Sequence, residues 1–130
     1  MIQLLKIAVI ILLGQATTKT FQARMTVNET YKPGYSNSDS AEFKTFATHF
    51  SQTVGKFLSK KLVGFKRCEV KKLASGSVIV VAYIVVDPVQ TRSRSDVTAD
   101  LIAQLLWDAS YDTELEYTFL GHLSVSATDQ

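Results

Sequence analysis

The chain has 130 residues, enough for one domain with a buried core but too few for two typical domains. Its composition, 46% hydrophobic and 20% charged, excludes a disordered polyelectrolyte. The net charge is only +2 and the fourteen lysines and arginines are spread along the chain. This argues against nucleic-acid binding, because affinity for phosphates needs clustered cations.

Residues 1–16 differ from the rest of the chain and predict a cleavable signal peptide. One lysine precedes an apolar run over residues 7–13, and small residues follow it. The run is far shorter than the ~20 residues that a transmembrane helix needs. We expect cleavage after Ala16 and a single mature domain over residues 17–130. The alternatives are a short signal anchor, or a buried first strand or helix.

The first half of the mature region predicts a strand followed by a long helix. Hydrophobic and polar residues alternate over residues 21–28, which is typical of a half-buried strand. Further on, Asp39 and Glu42 have the spacing of a helix capping box. Apolar residues then recur at three- and four-residue intervals, which indicates a helix that packs on a sheet. This stripe comprises Phe43, Phe46, Ala47, Phe50, Val54, Phe57 and Leu58.

The second half predicts two strands, a second helix and a last strand. Residues 65–73 are rich in charge and predict an edge strand, whereas residues 77–87 are apolar on both faces and predict a central one. Thr98 is the expected N-cap of the second helix. Alternation over residues 119–127 predicts the last strand. The predicted inward side of the second helix comprises Leu101, Ile102, Leu105, Leu106 and Ala109.

The element order βαββαβ predicts a ferredoxin-like α+β fold. Such a fold has a four-stranded antiparallel sheet with both helices on one face, and right-handed crossovers place the first and third strands in the middle. The other face would then be open. If the even-numbered residues of the third strand face the helices, Ile79, Val81, Tyr83 and Val85 form an apolar open surface, which suggests a partner or a homodimer.

No arrangement of residues predicts turnover catalysis, a metal site or a cofactor site. His49 and His122 are far apart in sequence, Cys68 is alone, and no glycine-rich phosphate loop opens a helix. We interpret Cys68 as a small buried residue that shares a strand face with Val70. We interpret the acidic residues near the end of the second helix as a solvated loop. These are Asp108, Asp112, Glu114 and Glu116.

The sequence Asn28-Glu29-Thr30 is an N-glycosylation sequon. It follows the predicted first strand and precedes a Pro-Gly loop, so we expect a surface glycan on Asn28.

The sequence resembles the SEA domain, an extracellular module of membrane mucins and some membrane-anchored proteases. The resemblance rests on the phenylalanine-rich helix, on "GFKRCEVKKLASGSVIVVAYIVV" (residues 64–86) and on the element order. It covers about residues 21–127. Its most specific part is "GSVIV", residues 76–80. Self-cleaving SEA domains carry Gly-Ser and three valines here, and this chain departs from that pattern only by Ile79.

The resemblance implies autoproteolysis between Gly76 and Ser77, with the Ser77 hydroxyl as nucleophile. The two pieces would remain associated, and this single event is not enzymatic turnover. The resemblance also implies a secreted or cell-surface location, extracellular protein or glycan partners, and no cofactor. It further implies that the chain is either a stand-alone secreted domain or part of a longer protein.

Two alternatives use the same fold. The first is an uncleaved protein-binding module that acts through the open face of its sheet. The second, less well supported, is a small enzyme.

Overall fold

A computed structural model describes residues 18–76, 78–87, 97–111 and 115–128. The predicted signal peptide lies outside these residues. A short 3-10 helix at Pro33–Ser36 precedes the first helix. The main elements are β1 (Lys19–Val27), α1 (Ala41–Lys61), β2 (Phe65–Ala74), β3 (Ile79–Val86), α2 (Ala99–Tyr111) and β4 (Phe119–Ala127).

The four strands form one antiparallel sheet in the order β2-β3-β1-β4, with both helices on one face. This confirms the predicted fold, including the central positions of β1 and β3 and the edge position of the charged β2. Side chains alternate between the two faces of the sheet along each strand, and those that face the helices are buried. They include Phe21, Ala23, Met25 and Val27 of β1, and Val80, Ala82, Ile84 and Val86 of β3.

Helix α1 begins after Ser40, so the predicted capping box was wrong by one residue. The Ser40 hydroxyl accepts a hydrogen bond from the backbone N–H of Phe43 at 3.0 Å and donates one to the carbonyl of Gly34. The Glu42 carboxylate accepts from the backbone N–H of Gly34 at 2.9 Å. Both side chains therefore tie the 3-10 helix to the first turn of α1.

Thr98 caps helix α2, as predicted, but Leu101 does not belong to the inward side of the helix. The Thr98 hydroxyl accepts a hydrogen bond from the N–H of Leu101 at 3.1 Å. The Leu101 side chain is 38% exposed, whereas Ile102, Leu106 and Ala109 are fully buried. Residues four and seven after Ile102 share its face of a helix. Leu101 precedes that stripe by one residue, so it points away from the sheet.

The open face of the sheet mixes apolar and polar side chains. Tyr83 of β3 pairs with Gln22 of β1 on one side and Glu69 of β2 on the other. Arg24 pairs with Val81, and the Lys71 ammonium lies 5.3 Å from the centre of the Tyr83 ring. Val81 and Tyr83 are thus partly exposed and have charged neighbours. Val85, which was also predicted for this open surface, is buried at 2% exposure, so the face is not a continuous apolar patch.

We expect Ser40→Ala to lower the free energy of unfolding by about 1 kcal/mol, because it removes the N-cap of α1. Urea denaturation in a Ser77→Ala background, which removes the predicted nucleophile, measures the change. Asp39→Ala is the matched control and should cost less than about 0.5 kcal/mol. A larger loss of stability for Asp39→Ala than for Ser40→Ala would show that Asp39, not Ser40, caps the helix.

Candidate functional site

The predicted cleavage junction lies in the tight connection between β2 and β3. Leu73 pairs with Val80 and Ala74 with Ile79, so residues 75–78 complete the hairpin. Gly76 is exposed in this turn. Ser77 lies outside the described residues, and the structure therefore places only its two neighbours.

Gly76 adopts a backbone conformation that side chains disfavour. Its φ angle is +116°, a region that glycine visits freely and other residues rarely. A Cβ atom at this position would lie 3.2 Å from the Cδ1 atom of Ile79, which is a tight contact. The backbone angle therefore favours glycine at this position, and any side chain would also require the Ile79 side chain to shift slightly.

Val78, on the other side of Ser77, also has a left-handed backbone, with φ +61°. A β-branched residue in this region is a genuine outlier, and such conformations cost roughly 1–3 kcal/mol. The Val78 side chain is fully buried, and its carbonyl oxygen accepts a hydrogen bond from the Val27 N–H at 2.9 Å. Burial and this hydrogen bond to β1 hold Val78 in the unfavourable conformation.

The sequon lies immediately after β1. Asn28 and Thr30 are both exposed, and the Asn28 N–H donates to the carbonyl of Thr118 at 2.9 Å. The backbone is therefore anchored while the Asn28 side chain remains accessible to solvent.

A family model for the SEA domain matches residues 19–118. The chain belongs to the SEA domain family. The match begins with β1 and ends just before β4, so it includes the junction and the sequon. SEA domains are extracellular-type modules rather than turnover enzymes. No curated protein sequence matches the chain significantly.

Two further features of this SEA domain concern membranes and metals. No helix among the described residues is long and apolar enough to cross a membrane. Within the same ranges, no group of three or more histidine, cysteine or acidic side chains is placed to hold a metal ion.

Cys68 lies on the helix-facing side of β2, opposite Ile84 of β3, and is buried. Burial, followed by the negative charge of Glu69, raises the pKa of the Cys68 thiol to about 12. The thiol is therefore protonated at neutral pH, which makes it a poor nucleophile. This agrees with its interpretation as a small core residue.

His49 forms a cluster that the sequence did not reveal. Its Nδ1 atom lies 2.6 Å from the hydroxyl of Tyr117, and its Nε2 atom lies 3.4 Å from a carboxylate oxygen of Glu116. Burial, followed by the charges of Glu29 and Glu116, raises the pKa of Tyr117 to about 12. His49 and Tyr117 are 68 residues apart in sequence, so no local spacing pattern could have predicted their contact. Of the acidic group predicted to be a solvated loop, Asp112 and Glu114 lie outside the described residues.

We expect Cys68 to resist iodoacetamide in the folded SEA domain at mildly alkaline pH, because its raised pKa leaves almost no thiolate. Intact mass after timed labelling measures the modified fraction. The same protein in denaturant is the control and should be alkylated rapidly. Labelling of the folded protein at the rate of a free cysteine would show that Cys68 is not buried.

Proposed function

We propose that this SEA domain is a secreted or cell-surface module that cleaves its own backbone once, between Gly76 and Ser77. The observation that carries the proposal is the pair of left-handed backbone conformations at Gly76 and Val78, which flank the nucleophile of the Gly-Ser motif. Family membership and the exposed sequon at Asn28 support the extracellular setting.

The proposed chemistry is an N-to-O acyl shift followed by hydrolysis. The Ser77 oxygen bonds to the carbonyl carbon of Gly76, and the bond from that carbon to the Ser77 nitrogen breaks. The hydroxyl proton is transferred to this nitrogen, which becomes a free amine. Water then opens the ester, releasing the Gly76 carboxylate and restoring the Ser77 hydroxyl. No oxidant, metal or cofactor is consumed.

Backbone strain at the junction supplies part of the rate. A planar amide is resonance-stabilised and resists attack. Each ~1.4 kcal/mol of strain that is relieved in the transition state is worth about tenfold in rate. The roughly 1–3 kcal/mol expected for an unusual backbone conformation gives about a hundredfold at most. Proton transfer, through water or a neighbouring group, must supply the rest.

The topology of the sheet would keep the two pieces together after the cut. The first piece carries β1, α1 and β2, and the second carries β3, α2 and β4. In the described sheet, β3 lies between β2 and β1, and β4 pairs with β1. Each of these three strand pairings therefore joins one piece to the other, and separation would require the whole sheet to open.

An uncleaved binding module remains the second candidate function. Its surface would be the open face of the sheet, where Tyr83 lies among Gln22, Glu69 and Lys71. This mixed character suits a polar partner or a second copy of the chain better than an apolar one.

We expect the denatured protein from a secreting cell to show two masses, the second piece beginning at Ser77. Ser77→Ala should give one uncut chain, because it removes the nucleophile. Ser75→Ala, two residues earlier in the same turn, is the matched control and should still be cut. Uncut protein in all three samples would leave the binding module as the function.

We expect Val78→Ala to slow cleavage by about tenfold, because alanine tolerates the left-handed backbone better and is held less firmly in the core. The cut fraction is followed by denaturing gel after refolding of uncut, denatured protein. Val86→Ala is the control, since it truncates an equally buried valine at the far end of β3. Equal cleavage rates for the two variants would show that strain at Val78 does not contribute to cleavage.

A further inference from the structure

A cavity of about 380 Å³ lies beside the first half of α1, away from the cleavage turn. It is bounded by the 3-10 helix and by the segments that follow β1 and precede β4. None of the described residues that line it belongs to the turn over residues 75–78. Its polar lining comes mainly from Glu29, Lys32, Tyr35, Glu42, His49 and Tyr117. Its volume falls in the range of ordinary ligand pockets.

The carboxylates around this cavity make it negative. The pKa of Tyr35 is raised first by burial and then by the charges of Glu29 and Glu42. Glu29 also raises the pKa of Tyr117, after burial. The field of Glu29 therefore reaches both tyrosines. Lys32 is the one cation among the described lining residues, and it is exposed and forms no ion pair with the described part of the chain.

Tyr35 lines the cavity, and its hydroxyl makes no hydrogen bond with the described part of the chain. The residue is only 5% exposed, yet its hydroxyl has no hydrogen-bond partner among the described residues. No buried side-chain oxygen or nitrogen in those ranges lacks a partner, so the Tyr35 hydroxyl must reach solvent, and Tyr35 is one of the residues that line the cavity. The hydroxyl of Tyr117, by contrast, is bonded to His49.

Two of the groups that line the cavity, Tyr35 and Glu42, are held before any ligand arrives. The Tyr35 ring packs edge-on against Tyr31 and at a 53° tilt against Phe46, with ring centroids 5.7 and 5.4 Å away. The Glu42 carboxylate is fixed by the backbone N–H of Gly34 at 2.9 Å. Preorganised acceptors cost a ligand little ordering entropy.

We propose that this cavity binds the cationic side chain of a basic extracellular peptide, with Glu29 and Glu42 as carboxylate acceptors and the Tyr35 hydroxyl as a third acceptor. A guanidinium fits best, because it carries five N–H donors in one plane and can engage separated acceptors together. Among the described residues, no three histidine, cysteine or acidic side chains are placed to hold a metal ion together. The site goes beyond the proposed cleavage and does not depend on it.

The test is a titration of isotope-labelled protein with Nα-acetyl-arginine methylamide, followed by NMR. The matched probe is Nα-acetyl-citrulline methylamide, which has nearly the same shape without the charge. We expect saturable shifts at Glu29, Tyr35 and Glu42 with the arginine probe and none with the citrulline probe. Glu29→Gln should weaken binding about tenfold, because it removes a charge-assisted hydrogen bond.

Two further variants separate binding from folding. Tyr35→Phe should weaken binding severalfold and leave the midpoint of unfolding unchanged, because the lost hydroxyl makes no internal hydrogen bond. Lys32→Gln should tighten binding, because it removes a competing positive charge at the rim. If these residues had only a structural role, the two variants would not change the affinity for the arginine probe in opposite directions.

Equal binding of the arginine and citrulline probes, or shifts confined to other surfaces, would overturn the proposal. Binding of methyl N-acetylglucosaminide at the same residues without the arginine probe would also overturn it, in favour of a sugar pocket. The titration is repeated on Ser77→Ala protein, where the affinity should be the same. Loss of cleavage and loss of binding are therefore observed in separate experiments.

Discussion

The register between β3 and its two neighbours is the constraint on which the rest of the structure depends. β3 buries Val80, Ala82, Ile84 and Val86 against the helices, while Ile79, Val81 and Tyr83 on the other face stay partly exposed. A slip of one residue would exchange the two sets and place Tyr83 in the core. The hairpin from β2 must therefore close within residues 75–78, and the burial of Val78 leaves its backbone no easy way to relax.

This constraint explains why strain and stability can coexist in one small domain. The core that holds Val78 spans both sides of the proposed cut, and so does each pairing of the described sheet. Breaking one backbone bond would release the local strain and leave the contacts between strands in place. A domain of this kind would survive its own cleavage and come apart only when the sheet itself is opened.

The cavity beside α1 is separate from the turn of the proposed cut (residues 75–78), although both lie near the end of β1. Val27 donates to the carbonyl of Val78, and Glu29, two residues later, lines the cavity. The sequon residue Asn28 lies between them and is exposed. The first piece of a cut chain would therefore keep Glu29, Tyr35 and Glu42 together, while Tyr117 would come from the second piece.

Local patterns of hydrophobicity determined much of the fold. Alternation over β1 and β4, the phenylalanine stripe of α1 and the uniformly apolar β3 identified each element, because burial on one face imposes a period on the sequence. Element boundaries were less certain. Ser40 rather than Asp39 caps α1, since both residue types can cap and only the geometry of the preceding turn selects one. Leu101 was misplaced because an apolar residue beside a stripe looks like a member of it.

The sequence by itself determined the order of the elements, the family and the position of the Gly-Ser pair, because each depends on neighbouring residues or on a short motif. Only the tertiary structure decided the left-handed backbone at Val78, which results from packing against β1 and the core. It also decided the pairing of His49 with Tyr117 and the unpaired hydroxyl of Tyr35. These features join residues that are distant along the chain, and no local periodicity records which side chains will meet once the helices pack on the sheet.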